Sequence, residues 1–550
     1  MSSDGGLWDV LADQRSRRSS LHCWSGHGYD ATAWSQVYRD SENTTAGLRR
    51  LGVRPGSRVA ALLTNNGSTV RGLLGTWLAG GTVASLPAPA RGMDATEYFD
   101  QLKIIVEQLD PVAIMLDSPT LAAVPDAMRA RLPFHAWDSI IDSGRVDAEP
   151  PGDDELTFIQ YSSGSTSSPR GCMLTPRSIA AQLDIIGAMI DPRPDDVAVT
   201  WMPLSHDMGL FGTLLTCWRH DIEYYMSTPE RFIASPATWF NELARFGGTL
   251  SAGTNTSLHL AARAAARSTR IAPHGLNRLR DCIIGAERID WETLQQATNT
   301  LSAFGLSPTA FMPAYGLAEA TLAVTALPST HQPQRIVIDV DGLGDGAVSA
   351  VRDDAAGARS IVSVGLPCEG VSLPGLSADT VTEIVVNSPS LARGYWADPE
   401  TTASRFGSAG VASGDLGFTR DGHLYVVGRG DDVISIAGRK VHAHDIERAV
   451  ERFSEIRPGC STLVSWLDDG RQRISLLVEP KTSADEYQRV ADAAAKVAMS
   501  TGAVALDECV FLERGRLPKT PSGKIQRHRC RSLRESGRLS PLATISLAES

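Results

Sequence analysis

Apolar and polar positions alternate regularly along the first 430 residues, where short apolar runs are followed by longer amphipathic segments. The run RVAALLT (58–64) predicts a strand, residues 69–79 predict a helix, and DPVAIML (110–116) predicts the next strand. Strands that alternate with helices are typical of layered α/β domains, in which helices cover a mostly parallel sheet. We therefore expect an α/β fold over this part of the chain.

The pattern changes after residue 430. Two strands and two helices are predicted there, at 433–436, 462–466, 444–452 and 484–499. This mixture predicts a small α+β unit that is separate from the first part. Within the first part, the polar, Pro- and Gly-containing stretch 143–155 predicts a linker.

One stretch, Gly72 to Ala90, carries no charged residue and is close to the length that crosses a bilayer, about 20 residues. However, Gly80 and Gly81 interrupt it and two prolines end it. We interpret it as a buried helix that ends at Leu78, followed by a turn and a core strand. A transmembrane helix is the alternative, but we expect no stable membrane insertion.

Composition limits the class of protein. A chain of 550 residues is too long for one ordinary core, so at least two domains are expected. A net charge of −11 argues against nucleic-acid binding and against anionic membranes. The eight cysteines form no CxxC pair and the first residues lack a signal-peptide pattern, which predicts reduced thiols and a cytoplasmic protein.

The first candidate for chemistry is the loop YSSGSTSSPRG (161–171). It lies between the predicted strand LTFIQ and the apolar segment CMLTP, so it is held at both ends and is not a flexible tether. Glycines let the backbone approach a ligand, while hydroxyl and amide groups suit phosphate oxygens. Pro169 stands where a Walker loop has Gly-Lys, so this is not a Walker loop. A serine-rich loop without a ligand remains the alternative.

Other segments place glycines, carboxylates and cations in turns: GAE (285–287), AYGLAEAT (314–321), SGDLG (413–417), GRGDD (428–432) and PKTPSGKIQR (518–527). Together with the serine-rich loop, and in this order, they closely resemble the ANL superfamily of adenylate-forming enzymes. That superfamily includes acyl-CoA synthetases, luciferases and peptide-synthetase adenylation domains. The resemblance covers roughly residues 30–535, although Arg170 replaces the usual lysine of the first loop.

The resemblance implies a two-domain architecture. The N-terminal domain would cover residues 1–429 as mixed sheets in several layers, flanked by helices, with a small β-barrel-like subdomain. A small mobile α+β domain would cover 433–550, and the hinge at 430–432 would be centred on Asp431. In this superfamily the small domain turns about the hinge between two half-reactions, as in other hinged enzymes.

The resemblance also implies ATP and Mg²⁺ as cofactors, with AMP or acyl-AMP as the bound intermediate. The serine-rich loop would hold the phosphates, Tyr315 would stack on adenine, and Asp415 would accept hydrogen bonds from the ribose. The implied nucleotide-binding residues are Ser162, Ser163, Gly164, Ser165, Thr166, Gly285, Ala286, Glu287, Ala314, Tyr315, Gly316, Leu317, Asp415 and Arg429.

Four residues are implied in catalysis. Lys524 would bridge the reacting carboxylate and the α-phosphate, and Glu319 and Thr166 would hold the metal ion. His206 would be a gate or a substrate contact, and a core histidine is the alternative. The basic stretch 514–534 raises RNA binding as a different class, but no aromatic residues interleave its cations and the whole chain is acidic.

Two features resemble the fatty acyl-AMP ligase branch more narrowly: WMPLSHDMGLFG (201–212) and the separation of 44 positions between Thr321 and Gly365, which is longer than expected for ordinary acyl-CoA synthetases. This implies a hydrophobic carboxylic acid as substrate and an acyl carrier protein as acceptor, with coenzyme A as the alternative. The apolar residues of the first segment would line an acyl tunnel or belong to the core. A non-catalytic nucleotide- or acyl-AMP-binding protein is the alternative from another class.

Overall fold

The computed structural model describes residues 6–12, 18–89, 95–140, 144, 147–161, 170–339, 346–355, 358–430, 433–436, 439–468, 471–502, 504–519 and 525–547. Three groups of predicted functional residues lie outside this part of the chain. They are Ser162 to Thr166 of the serine-rich loop, Asp431 of the hinge, and Lys524.

The first part of the chain alternates strands and helices as the pattern predicts. Its elements are α1 (Leu7–Ala12), β1 (Ser20–Trp24), β2 (Tyr29–Ala33), α2 (Trp34–Arg50), β3 (Arg58–Ala61), α3 (Gly67–Leu78), β4 (Thr82–Ser85), α4 (Ala95–Leu109), β5 (Ala113–Leu116), α5 (Ser118–Ala122), α6 (Asp126–Arg129), β6 (Phe134–Ala136), β7 (Phe158–Tyr161), β8 (Gly171–Leu174) and α7 (Pro176–Ile190).

Six of these strands, β3 to β8, form a sheet in the order β6-β5-β3-β4-β7-β8. It is parallel apart from β8, which runs antiparallel to β7. The predicted buried helix is α3, capped by the Asn66 side chain, which accepts a hydrogen bond from the Thr69 amide at 2.8 Å. The core strand after it is β4, whose four residues are all buried. Among the described residues, no helix is long and apolar enough to cross a membrane.

The next elements build a second sheet. They are β9 (Val197–Thr200), α8 (Asp207–Gly209), a π-helical turn (Leu210–Leu215), α9 (Thr216–Arg219), β10 (Glu223–Met226), α10 (Pro229–Ala234), α11 (Thr238–Phe246), β11 (Leu250–Gly253), α12 (Asn255–Ala265), β12 (Asp281–Ile284), α13 (Trp291–Ser302), β13 (Phe311–Gly316) and β14 (Ala323–Ala326).

An antiparallel β region follows in the chain. Its elements are β15 (Arg335–Asp339), β16 (Ala358–Val362), β17 (Leu366–Pro367), β18 (Thr382–Val386), α14 (Pro399–Arg405), β19 (Phe406–Gly407), β20 (Gly410–Arg420) and β21 (His423–Arg429). Strands β15 and β16 pair with each other, while β18, β19 and β21 all pair with β20. Strand β17 joins the second sheet, whose order is β17-β14-β13-β12-β11-β9-β10-β1-β2.

Strands β9, β11, β12 and β13 of the second sheet run parallel. Their carboxyl ends therefore meet at one edge of the sheet, which is where open α/β sheets bind ligands. The segments that follow β9, β12 and β13 are the ones that the sequence motifs single out. The fold thus brings three separate motifs to one edge.

The C-terminal part contains β22 (Val433–Ile436), β23 (Arg439–His442), α15 (Ala443–Val450), β24 (Ile456–Asp468), β25 (Arg471–Pro480), α16 (Tyr487–Gly502), β26 (Glu508–Leu512), α17 (Arg527–Glu535) and β27 (Pro541–Ser546). A mixed sheet, β24-β25-β26-β27, packs against the helices, so the predicted α+β character is confirmed. Its buried residues form hydrophobic clusters of their own, beginning at Ile434. The exact boundary near residue 430 stays a prediction.

Candidate active site

A cavity of about 1150 Å³ lies between the carboxyl ends of the parallel strands and the C-terminal part of the chain. The predicted residue Gly285 does not line the cavity, but it packs against Ala314, which does. A Cβ added at Gly285 would lie 3.1 Å from the Ala314 carbonyl oxygen. The fold therefore gathers motifs that are more than 200 positions apart. The predicted residues that line the cavity are His206, Ala286, Glu287, Ala314, Tyr315, Gly316, Leu317, Glu319, Asp415 and Arg429.

The loop after β13 is shaped tightly enough to fix the Glu319 backbone. Gly316 has no room for a side chain, since an added Cβ would lie 2.0 Å from the Leu322 carbonyl oxygen. Thr321 has φ of +66°, which is rare and strained for a β-branched residue. Its hydroxyl donates a hydrogen bond of 2.6 Å to the Ser390 carbonyl, in a fully buried position. This bond holds the strained turn in place.

The Glu319 carboxylate is oriented by Tyr395. The Tyr395 hydroxyl donates a 2.7 Å hydrogen bond to Oε1 of Glu319. Burial raises the pKa of Tyr395, and the charge of Glu319 raises it further, so the phenol stays protonated and remains a donor. Within the described residues, Oε2 of Glu319 makes no hydrogen bond. One oxygen is therefore fixed, and the other is left without a protein hydrogen bond, among the described residues, on a side chain that lines the cavity.

Tyr395 belongs to a short segment, residues 392–396, that connects two parts of the site. The Ala392 amide donates to the Glu319 carbonyl at 2.8 Å. The same segment runs beside β8, with Met173 and Gly394, and Gly171 and Trp396, joined by main-chain hydrogen bonds of 2.9 and 2.8 Å. Strand β8 begins where the serine-rich loop ends, so the 392–396 segment ties that strand to Glu319.

Asp415 is held on both carboxylate oxygens. Tyr315 donates its hydroxyl to Oδ2 at 2.7 Å, and Arg429 donates Nε to Oδ1 at 3.1 Å. The pairing of β20 with β21 places Asp415 opposite Arg429. Burial raises the pKa of Tyr315, with a further contribution from the charge of Asp415, so this hydroxyl also stays a donor. Tyr315 and Asp415, the residues predicted to contact adenine and ribose, are therefore hydrogen-bonded to each other.

The loop after β12 and the histidine after β9 complete this side of the cavity. Ala286 has φ of +63°, a second strained position. Oε2 of Glu287 accepts a 2.9 Å hydrogen bond from the Thr256 amide in the first turn of α12. His206 is 24% exposed, and its Nδ1 lies 2.6 Å from Oδ1 of Asp207. His206 therefore faces the cavity instead of lying in the core.

The apolar segment next to His206 lies in the core. Trp201 stacks on Phe232 with ring centres 3.9 Å apart. The cavity wall does not include the apolar residues proposed for a tunnel, all of which are at most 6% exposed. Of the two interpretations, the structure favours the core. These buried residues are Trp201, Met202, Met208, Leu210 and Phe211.

Sequence reasoning missed the ion pairs that join α15 to the rest of the protein. Arg288 and Arg359 place guanidinium nitrogens 3.2 and 3.1 Å from the two carboxylate oxygens of Asp445. Arg448 pairs with Asp290. Burial lowers the pKa of Arg359 to about 9, and the nearby charge of Arg288 adds to this effect. The partners are far apart in sequence, so no local motif reveals them.

Comparisons with known proteins agree with this geometry. The family of AMP-binding enzymes matches residues 9–396. A putative ligase of Mycobacterium tuberculosis, Rv1013, is 29% identical over 90% of this chain and 93% of its own length. The long-chain-fatty-acid–AMP ligase FadD32 of Mycolicibacterium smegmatis is 26% identical over 92% of this chain and 89% of its own length.

Solved structures match almost the whole chain. One, from a study of fatty acyl-adenylate ligases from E. coli and L. pneumophila, has a TM-score of 0.88 at 25% identity, covering 97% of this chain and 98% of the other. McyG A-PCP complexed with phenylalanyl-adenylate has a TM-score of 0.84 at 18% identity, covering 98% of this chain and 84% of the other, and shows a shared fold. The chain belongs to the AMP-binding family of adenylate-forming enzymes.

Proposed function

We propose that this enzyme uses ATP to convert a hydrophobic carboxylic acid into its acyl-AMP and pyrophosphate. It then transfers the acyl group to the phosphopantetheine thiol of a carrier protein, forming a thioester and releasing AMP. One observation carries the proposal. A single cavity holds the aromatic ring of Tyr315 and the carboxylates of Asp415 and Glu319, and each carboxylate is oriented by a tyrosine hydroxyl. Family membership supplies the class of reaction.

The nucleotide would be held by Tyr315 and Asp415. The Tyr315 ring offers a face for adenine, and its hydroxyl keeps Asp415 in one orientation. A carboxylate oxygen has more than one acceptor position, so Asp415 can accept ribose hydroxyls while Tyr315 and Arg429 remain bonded to it. The proposed roles of Ala286 and Gly316 rest on their backbones, which line the same cavity.

The residues present fit a Mg²⁺ site that is completed by the nucleotide. Among the described residues, no group of three or more His, Cys, Asp or Glu side chains could hold a metal. Mg²⁺ usually binds one or two carboxylates and takes its other ligands from phosphates and water. The open oxygen of Glu319 suits this arrangement, and Thr166, outside the described residues, is the second proposed ligand. When bound, the ion would neutralise charge on the phosphates.

The chemical step joins two anions. A carboxylate oxygen of the acid attacks the α-phosphorus and forms a new P–O bond. The bond from the α-phosphorus to the bridging oxygen breaks, and pyrophosphate leaves with the electron pair. Alignment and cationic donors lower this barrier, and losing one donor typically costs about 10²–10³ in rate. In the proposal, Arg429 and Lys524 are these donors.

The choice of acid and acceptor rests on the relatives. FadD32 is named a long-chain-fatty-acid–AMP ligase, which supports a hydrophobic acid here. The cavity offers apolar side chains to such a substrate, including Leu102, Ile104 and Leu260. The fatty acyl-AMP ligase resemblance favours a carrier protein, and coenzyme A is the alternative acceptor. The hinge at 430–432, with the domains on either side of it, and a cytoplasmic location are parts of the same proposal.

The test is pyrophosphate release with ATP, Mg²⁺ and acids that range from short to long linear chains and bulky ring-containing acids. A phosphopantetheinylated carrier protein or coenzyme A is added afterwards, and thioester is measured. We expect ATP-dependent release with hydrophobic acids and thioester on the carrier. No release with any acid would overturn the enzyme proposal and favour the non-catalytic alternative. Thioester formed only with free coenzyme A would overturn the choice of acceptor.

A matched pair of variants connects this test to the site. Asp415→Asn removes the charge between Tyr315 and Arg429 and should lower acyl-AMP formation by about 100-fold. Asp421→Asn makes the same change in the exposed turn between β20 and β21, where φ is +51° and asparagine is also tolerated. It should leave activity unchanged. Equal activity of the two variants would contradict the proposed nucleotide site.

A further inference from the structure

Described residues on either side of the proposed catalytic lysine pair with each other, and we call these paired residues the base of the lysine segment. Lys519 and Ile525 form an antiparallel bridge, and the Gln526 amide donates a 3.0 Å hydrogen bond to the Pro518 carbonyl. The chain therefore leaves at Pro518–Lys519 and returns at Ile525–Gln526. Lys524 precedes Ile525 by a single peptide bond, so the position of this base limits where the lysine can reach.

The returning segment is anchored by a buried ion pair at the first residue of α17. Arg527 places both guanidinium nitrogens on Glu447, at 2.6 Å from Oε1 and 3.1 Å from Oε2. The Glu447 side chain is only 5% exposed. Its carboxylate also accepts hydrogen bonds from the Leu463 amide at 2.6 Å and the Thr462 hydroxyl at 3.1 Å. A bidentate arginine–carboxylate pair fixes the orientation of the guanidinium group as well as its distance from the carboxylate.

The charge on Glu447 is retained in this buried position. Burial by itself raises the pKa of this carboxyl, but Arg527, His444 and the Leu463 amide together bring it below its ordinary value. The carboxylate is therefore ionised whenever the enzyme works near neutral pH. An ionised, bonded Glu447 gives Arg527 one well-defined orientation.

The departing segment has its own anchors. Lys519 is 5% exposed, and its ammonium lies 3.1 Å from the sulfur of Cys460. Oε1 of the buried Glu479 accepts hydrogen bonds from the Gly515 and Leu517 amides, at 2.9 and 3.0 Å. Both ends of the base are thus held by buried charged side chains. A buried charge that loses its partners is strongly destabilising, so these contacts hold Lys519 and Glu479 in place.

We infer that Glu447, acting through Arg527, is a positioning residue for the adenylation half-reaction. It fixes the residues that follow Lys524 in the chain, and Gln526 and Arg527 themselves line the cavity. The inference rests on the proposed function, because it assigns Lys524 to acyl-AMP formation. It adds a residue that does not contact the reacting atoms. A misplacement of about 1 Å at such a site can cost about 100-fold in rate.

The direct test of the anchor does not depend on activity. Hydrogen–deuterium exchange is followed in peptides that cover residues 515–530 of the full chain. Glu447→Gln keeps the size of the side chain but removes its charge, so exchange in these peptides should rise. Arg534→Gln is the matched control. Arg534 lies on α17, as Arg527 does, and makes a bidentate pair with Glu508 of β26 at 2.6 and 2.7 Å. The control variant should leave exchange near Lys524 unchanged.

The kinetic test separates positioning from general damage. Glu447→Gln should slow acyl-AMP formation at saturating ATP and acid by about 10–100-fold, with KM values within about threefold of the wild type. Transfer from added acyl-AMP to the carrier should stay within about twofold. Arg534→Gln should leave both half-reactions within about twofold. Glu447→Asp, which keeps the charge, should recover part of the lost rate.

The outcomes are distinguishable. Unchanged exchange in Glu447→Gln would refute the anchor, whether or not the enzyme is active. Raised exchange with equal losses in both half-reactions would show a structural role only and refute positioning. If Glu447→Gln does not fold, Glu447→Asp and Arg527→Lys take its place in the same assays. A wild type without acyl-AMP formation would overturn the proposed function, and with it the assignment of Lys524.

Discussion

Removing a single hydroxyl, in Tyr315→Phe, tests how the nucleotide site is oriented. The wild-type hydroxyl donates to Oδ2 of Asp415 at 2.7 Å, while Arg429 donates to Oδ1 at 3.1 Å. Phenylalanine keeps the ring that is proposed to stack on adenine. In the variant, Arg429 is the remaining side-chain partner of the Asp415 carboxylate among the described residues. The carboxylate can therefore rotate about that contact.

The magnitude follows from the kind of bond that is lost. A hydrogen bond to a charged group contributes about 1.5–3 kcal/mol. The Asp415 side chain is 16% exposed, so water replaces part of the lost bond and the lower end of this range applies. At about 1.4 kcal/mol for each factor of ten, we expect KM for ATP to rise about tenfold. The chemical step does not involve this hydroxyl, so kcat should change little.

The assay is ATP–pyrophosphate exchange at varied ATP, with melting temperature measured in parallel. Tyr425→Phe is the control, because within the part of the chain that the structure describes the Tyr425 hydroxyl makes no hydrogen bond and its ring stacks on Phe418 at 5.1 Å. The control should match the wild type. An unchanged KM for ATP in Tyr315→Phe, or a fall in kcat alone, would refute the idea that this hydroxyl orients Asp415.

Three further changes test other parts of the structure. Tyr395→Phe removes the donor to Glu319 and should raise the Mg²⁺ concentration for half-maximal rate by about 10–100-fold; an unchanged Mg²⁺ requirement would argue against that carboxylate as the ligand. Burial raises the pKa of Asp281 from 3.8 to about 6, so the native state binds the carboxyl proton more tightly than the unfolded state does. The unfolding free energy of the wild type should therefore fall by roughly 3 kcal/mol as pH rises from 4 to above 6. Urea unfolding of Asp281→Asn should lack this loss, and an identical pH dependence would contradict the prediction. Asp431→Pro, at the proposed hinge, should spare acyl-AMP formation and impair thiol transfer, whereas equal loss of both would count against a hinge there.

The sequence predicts those parts of the fold that local patterns decide. The buried helix that ends at Leu78 and the strand after it follow from hydrophobicity and from the glycine pair between them, and both are confirmed as α3 and β4. The site loops follow strands, so their shared edge could be expected once the sheet was taken to be parallel. Asp415 and Tyr315 belong to short motifs that are recognisable without a structure, although the structure places them in strands β20 and β13 and not in the predicted turns.

Pairings between distant residues could not be predicted. Tyr395 meets Glu319 across 76 positions, and Arg527 meets Glu447 across 80, so only the folded chain reveals them. The apolar segment that includes Trp201 has the same composition whether it lines a tunnel or fills the core, and its stacking on Phe232 decides the matter. Local patterns identify candidate groups, whereas their orientation depends on tertiary contacts.

The 392–396 segment has a consequence for recombining this enzyme with its relatives. It pairs with β8 through Gly171 and Met173 and with the Glu319 turn through Ala392, so three regions that are distant in the chain share one set of hydrogen bonds. A chimera with a crossover between any two of them would join main-chain geometries that did not evolve together. Libraries that exchange all three from the same parent should give active progeny more often than libraries that exchange one.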